Sequence, residues 1–201
     1  MSVRTSLLTA VACVTMAAAA HAVPVSGQLS LNGYAQAIGS TGMGAATGIS
    51  FANASGTAVS GNSGSLSSFG GGTGSFAALG SCANSGTGCG TIQNIASLAT
   101  QGALTSFLTL NTGTGPAVSF DLTSITNITR PGANQLGFTA NGFINYAGFD
   151  RTAGTFNLTA QGDNITSFSA TTLAANVPEP ASMAILGGSL ALVGLIRRKK
   201  A

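Results

Sequence analysis

AVSFDL at residues 117–122 and GTFNLTA at residues 154–160 decide how this chain folds. In the first stretch Val118, Phe120 and Leu122 fall on one side of an extended backbone, and Ser119 and Asp121 on the other. In the second, Phe156, Leu158 and Ala160 alternate with polar neighbours in the same way, and Leu136 and Phe138 repeat the step. Side chains of a strand point to opposite faces in turn, so a period of two with one apolar set marks half-buried antiparallel strands. Turn-forming residues separate these runs at 130–134 (RPGAN) and at 149–154 (FDRTAG).

Outward from this pattern the signal weakens. Leu29 and Leu31 predict an edge strand near the start. Residues 91–110 read two ways. Ile92, Ile95 and Leu98 are spaced as on a helix, whereas 105–110 is rich in strand formers, and strands are preferred there. Residues 39–90 hold 15 of the 29 glycines, among Ser, Thr, Asn and Ala. Such a stretch buries little surface against its ordering entropy, so long loops with short strands are expected, including a strand pair around 49–51. Seven or more short strands with frequent turns make the expected fold all-β, an antiparallel β-sandwich with long Gly/Ser-rich loops. The expected division is a signal peptide at 1–22, an exported domain at 23–176 and a terminal segment at 177–201.

Charge is scarce, at 5% of residues against about 25% in ordinary soluble domains. Five of the seven cations lie at the two ends of the sequence: Arg4, Arg197, Arg198, Lys199 and Lys200. Residues 23–176 carry Arg130 and Arg151 against Asp121, Asp150 and Asp163, a net −1. The +3 of the whole chain therefore gives no basic stripe for nucleic acid.

The first 22 residues read as an export signal. Arg4 begins it, an apolar run covers 7–20, and Ala20-His21-Ala22 fits a small-x-small cleavage site. An uncleaved anchor is the rival reading, disfavoured by the shortness of the apolar run. The far end is VPEP at 177–180, 16 apolar residues at 181–196, and then Arg197-Arg198-Lys199-Lys200. As a helix the apolar run spans about 24 Å, a little under a ~30 Å hydrocarbon core. Snorkelling cations and local thinning make a single transmembrane helix feasible, with Pro180 in its first turn. The basic cluster stays cytoplasmic, which leaves the domain outside the inner membrane. The rivals are a buried core helix and a Pro-Glu-Pro that is only a stiff spacer.

Val177-Pro178-Glu179-Pro180, one apolar helix and the terminal basic cluster Arg197, Arg198, Lys199 and Lys200 together resemble a PEP-CTERM sorting signal. The resemblance implies recognition and processing by exosortase, an integral-membrane cysteine transpeptidase of Gram-negative bacteria. It also implies a transient inner-membrane anchor and an association with exopolysaccharide and biofilm matrix. The segment from Gly148 to Gln161, followed by 168–172, is similar to the last hairpin of many passenger domains with this tail. Two prolines hold 177–180 extended, the form a protease-like cleft grips, and place Glu179 just outside the bilayer.

Few groups could carry chemistry. His21, the single histidine, precedes the expected cleavage point, so the mature domain lacks the base of Ser-His and Cys-His dyads. A glycosidase would need Asp121, Asp150 and Asp163 to converge, and a calcium site would need them with loop carbonyls. No catalytic, metal or cofactor site is expected. Cys82 and Cys89 bracket a short flexible loop and are expected to pair in an exported protein. Asn53, Asn127, Asn157 and Asn164 head Asn-x-Ser/Thr triplets, a weak indication of glycosylation. A polysaccharide-binding domain would use Tyr34 and Tyr146, since Trp is absent. The leading expectation is an exported structural or adhesive matrix protein. A polysaccharide-binding module is the alternative and a secreted hydrolase the third reading.

Overall fold

The computed structural model describes residues 23–83, 88–113 and 117–175. The expected signal peptide at 1–22, the VPEP segment, the apolar run and the basic cluster lie outside the described residues. Ten strands follow in order: β1 (Gln28–Ile38), β2 (Gly48–Phe51), β3 (Ser63–Gly70), β4 (Cys82–Ala83), β5 (Gly90–Gln93), β6 (Leu104–Leu110), β7 (Val118–Gly132), β8 (Gln135–Tyr146), β9 (Thr152–Gln161) and β10 (Ile165–Ala174). Short 3-10 turns occupy Met43–Ala45 and Gly74–Leu79.

The alternation at 117–122 and 154–160 resolves as expected. Val118, Phe120 and Leu122 of β7 and Phe156, Leu158 and Ala160 of β9 are all buried, as are Leu136 and Phe138 of β8. Strands also form at both ends of 91–110, as β5 and β6.

The expected sandwich is corrected to a closed antiparallel barrel of eight strands. Hydrogen-bonded neighbours run β1–β10–β9–β8–β7–β6–β5–β3, and β3 returns to β1 through Ser30↔Gly70, Leu31↔Phe69, Asn32↔Ser68 and Gly33↔Leu66. β1 is therefore not an edge. Its other side pairs with β10 from Gln28↔Leu173 to Gln36↔Ile165. Past an irregularity at Asn32/Gly33, β2 replaces β3 along β1, from Ala35↔Phe51 to Ile38↔Gly48. A sandwich and a barrel present the same period-2 signal, and the difference lies in whether the last edge finds a partner.

Closure was hidden in the glycine-rich stretch. β3, inside the stretch expected to hold long loops with short strands, is an eight-residue strand whose Leu66 and Phe69 point into the core. The turn expected at 130–134 narrows to Ala133 and Asn134, because Arg130 and Pro131 still belong to β7. Register shifts mark this half of β7, between Leu122 and Ser124, Thr126 and Thr129, and Thr129 and Gly132. β6 pairs with β7 only as far as Leu122, and Pro131 falls in the register shift between Thr129 and Gly132, where no paired residue stands opposite its missing N–H.

Phenylalanines fill the barrel. Phe156 lies among Phe107, Phe120 and Phe138, with ring centroids 5.3, 6.1 and 6.2 Å away. Phe51 links Phe107 to Phe168 at 6.3 and 5.2 Å, both edge-on. Inward positions beside these rings are small. A Cβ on Gly142 would stand 2.5 Å from Cζ of Phe120 and 2.0 Å from the Asp121 carbonyl oxygen, so only glycine fits this close approach. The outer wall is mostly Ser, Thr, Asn and Gln. Apolar inside and polar outside is the reverse of a lipid-facing barrel wall.

Candidate functional site

Asp121 points outward from β7, and its surroundings explain its type. Its Oδ1 accepts the Ser106 N–H at 2.8 Å. Its Oδ2 accepts from Asn145 Nδ2 at 2.9 Å and Arg151 Nη2 at 3.3 Å. Burial raises the carboxyl pKa, but the Ser106, Asn145 and Arg151 donors outweigh it and hold Asp121 below the ordinary carboxylate range. Ser106 has φ 51°, inside the irregularity of β6 between Leu104 and Leu108. Gln93 Nε2 clasps the same bulge by donating to the Thr105 and Ser106 carbonyls at 2.6 and 2.9 Å. Arg151 lies with its guanidinium carbon 3.7 Å from the Phe143 ring centroid. This cluster braces a bulge.

The other two aspartates stand elsewhere. Asp150 is exposed in the β8–β9 turn and Asp163 in the β9–β10 turn, where Asp163 Oδ2 accepts from Asn134 Nδ2 at 3.0 Å. These turns lie at opposite ends of β9, a ten-residue strand about 33 Å long. The three carboxylates do not converge.

Tyr146, one of the two expected aromatic platforms, is a core residue. It is buried between Phe149 and Phe76, with centroids 4.7 and 6.1 Å away. Tyr34 faces outward from β1 and is half-buried. Asn53 organises its own turn by accepting the Ser55 and Thr57 N–H groups at 3.0 and 2.7 Å. Asn157 accepts the Thr139 hydroxyl at 2.7 Å, while Asn127 and Asn164 take left-handed φ of 51° and 55°. Cys82 and Cys89 form the expected disulfide, with Cα atoms 5.7 Å apart. Closing so short a loop stabilises the fold by about 2.5 kcal/mol in the chain-entropy description, tying β4 to the start of β5.

Among the described residues, two of the grooves on the surface flank β8. One, of about 440 Å³, lies by Ser119, Asn145, Phe149 and Arg151. The other, of about 390 Å³, lies across β7–β10 near the opposite end of β8. Its floor is Gly137, where a Cβ would come 2.7 Å from Thr129 Oγ1. Around it stand Pro131, Gln135, Thr159, Gln161 and Ser167. Gln135 and Gln161 are directly cross-strand. Their convergence depends on β8–β9 register, and no sequence signal singles them out from the other exposed amides.

Beyond the barrel, the order of VPEP, apolar run and basic cluster remains, and comparison with known families bears on it. A family model described as the PEP-CTERM protein-sorting motif matches residues 176–200. The chain carries a PEP-CTERM tail. No curated protein and no solved structure matches the chain. The PEP-CTERM tail indicates an exported protein sorted by exosortase and is consistent with transient membrane anchoring. The match begins just past the last strand of the barrel, which ends at Ala174, so it speaks for the route and not for the barrel's task. Among the described residues no helix is long and apolar enough to cross a membrane.

Proposed function

We propose that this protein is a non-catalytic component of the cell envelope or extracellular matrix, with a structural or adhesive role beside exopolysaccharide. In this reading residues 1–22 are removed at Ala20-His21-Ala22 during export. The chain then pauses in the inner membrane through 181–196, with Arg197, Arg198, Lys199 and Lys200 on the cytoplasmic side. An exosortase-type transpeptidase recognises Val177, Pro178, Glu179 and Pro180 and releases the barrel to the outer surface or matrix.

The observation that carries the reading is the PEP-CTERM tail at 176–200 joined to a barrel with a Ser/Thr/Asn-rich outer wall. The placement of the carboxylates supports a non-catalytic role. Asp121 is engaged by three donors, and Asp150 and Asp163 sit at opposite ends of β9. A second reading, a polysaccharide-binding module, is favoured by the groove over Gly137.

The test is the mass of the mature chain from a host with exosortase, beside a Glu179→Ala variant. The wild type should lose 1–22 and the segment after the VPEP motif, and the variant should retain its tail. Identical C-terminal processing of the two chains refutes recognition of this motif.

A further inference from the structure

The groove over Gly137 brings unpaired polar side chains together at one concave place on the outer wall. Elsewhere on the wall a number of polar side chains bond to one another or to backbone. Asn32 links Ser68 and Ser169 at 3.3 and 3.0 Å, and Thr139 donates to Asn157. The Gln135 and Gln161 amides and the Ser167 hydroxyl have no hydrogen-bond partner among the described residues. They lie side by side. Gln135 pairs with Gln161, and the pairing of Phe168 with Ala160 sets the adjoining Ser167 next to Gln161. Ser167 in turn pairs with Tyr34 of β1, so the row ends on an outward phenol.

The chemistry of this row defines a ligand. Two amides, a hydroxyl and a phenol each offer donors and acceptors, and no charged side chain lines the groove. Pro131 supplies an apolar wall, and Gly137 withholds the side chain that would fill the floor. A ligand matched to uncharged donors and acceptors alternating with small apolar patches is a neutral polyhydroxylated chain. An anion finds no cation here, because Arg130 is turned to the Gly44 and Ala46 carbonyls at 2.7 and 2.8 Å, and Arg151 lies at the other groove. An apolar ligand would strand the amides.

We propose that the groove over Gly137 binds a neutral polysaccharide, held by Gln135, Gln161 and Ser167 with Tyr34 at its end. This rests on the reading of the protein as an exported matrix component and names the partner of its surface.

The experiment is affinity electrophoresis of the chain as the cell processes it, through gels containing a β-1,3-glucan, a galactomannan or dextran, with alginate as the acidic comparator. At least one neutral polymer should retard the wild type. The double variant Gln135→Ala/Gln161→Ala should bind that polymer at least tenfold more weakly, and Ser167→Ala should weaken it in the same direction. Arg151→Gln, at the other groove, should bind as wild type. All these side chains are exposed or half-buried on the outer wall, and melting curves check that the variants stay folded. Retardation by alginate alone, by none of the polymers, or equally for wild type and double variant overturns the inference. Processing of the tail is read separately by mass, so a correctly sorted chain that binds no polymer refutes the groove and leaves the sorting reading intact.

Discussion

Replacing Phe156 with alanine tests the barrel interior most directly. Phe156 is fully buried and meets Phe107, Phe120 and Phe138 within 6.2 Å. Removing a buried phenylalanine costs about 3–5 kcal/mol through lost transfer energy and the cavity left behind. Edge-on and tilted ring pairs add about 0.5–1.5 kcal/mol each, which places this site in the upper half of that range. Neighbouring strands are tied into a closed ladder and collapse poorly into the void, which works in the same direction. A loss of about 4–5 kcal/mol corresponds to a fall in Tm on the order of 10–15 °C for a domain of this size. The matched control is Phe143→Ala on the outer face of β8, where the ring's partner is Arg151 and the expected loss is about 1 kcal/mol. Guanidinium and thermal unfolding of both variants give the comparison. A loss below about 1 kcal/mol for Phe156→Ala, or equal losses for the two, would refute the assignment of Phe156 to the centre of the barrel.

Asp121→Ala removes an acceptor serving three donors and should cost about 1–3 kcal/mol at neutral pH, read from unfolding midpoints. Because the folded carboxyl titrates below its unfolded value, its contribution is present above the unfolded pKa near 4 and is lost as pH falls through the folded pKa. The gap between wild type and variant should therefore hold from pH 7 to about 5 and narrow below about 4; a gap that widens in acid contradicts the assignment. Amide hydrogen exchange distinguishes the barrel from the sandwich. Amides of Ser30 to Gly33 should be protected, since β1 is paired on both sides, while β7 beyond Leu122 exchanges faster along its free edge. Rapid exchange at both flanks of β1 would mean the barrel is open.

The strands around residues 118–122, 136–138 and 156–160 were legible because their apolar residues alternate without a break, and a one-residue slip would turn every one of them outward. The disulfide was legible because two cysteines bracket a loop too short to keep them apart. β3 was not, because its glycines and serines mask Leu66 and Phe69, and a strand's apolar face is defined by what covers it. Tyr146 misled for the same reason: its ring could serve outside or inside, and only the positions of Phe76 and Phe149 decide.

By itself the sequence determined the class of structure, the strand faces and the address. Alternation, cysteine spacing and the order of motif, apolar run and basic cluster are local properties, complete within a few neighbouring residues. The tertiary structure decided what depends on partners far apart in the chain. Closure needs β1 to meet both β3 and β10, and the groove needs Gln135, Gln161 and Ser167 brought side by side. A period of two records which way a side chain points, and carries no record of which strand lies next to it.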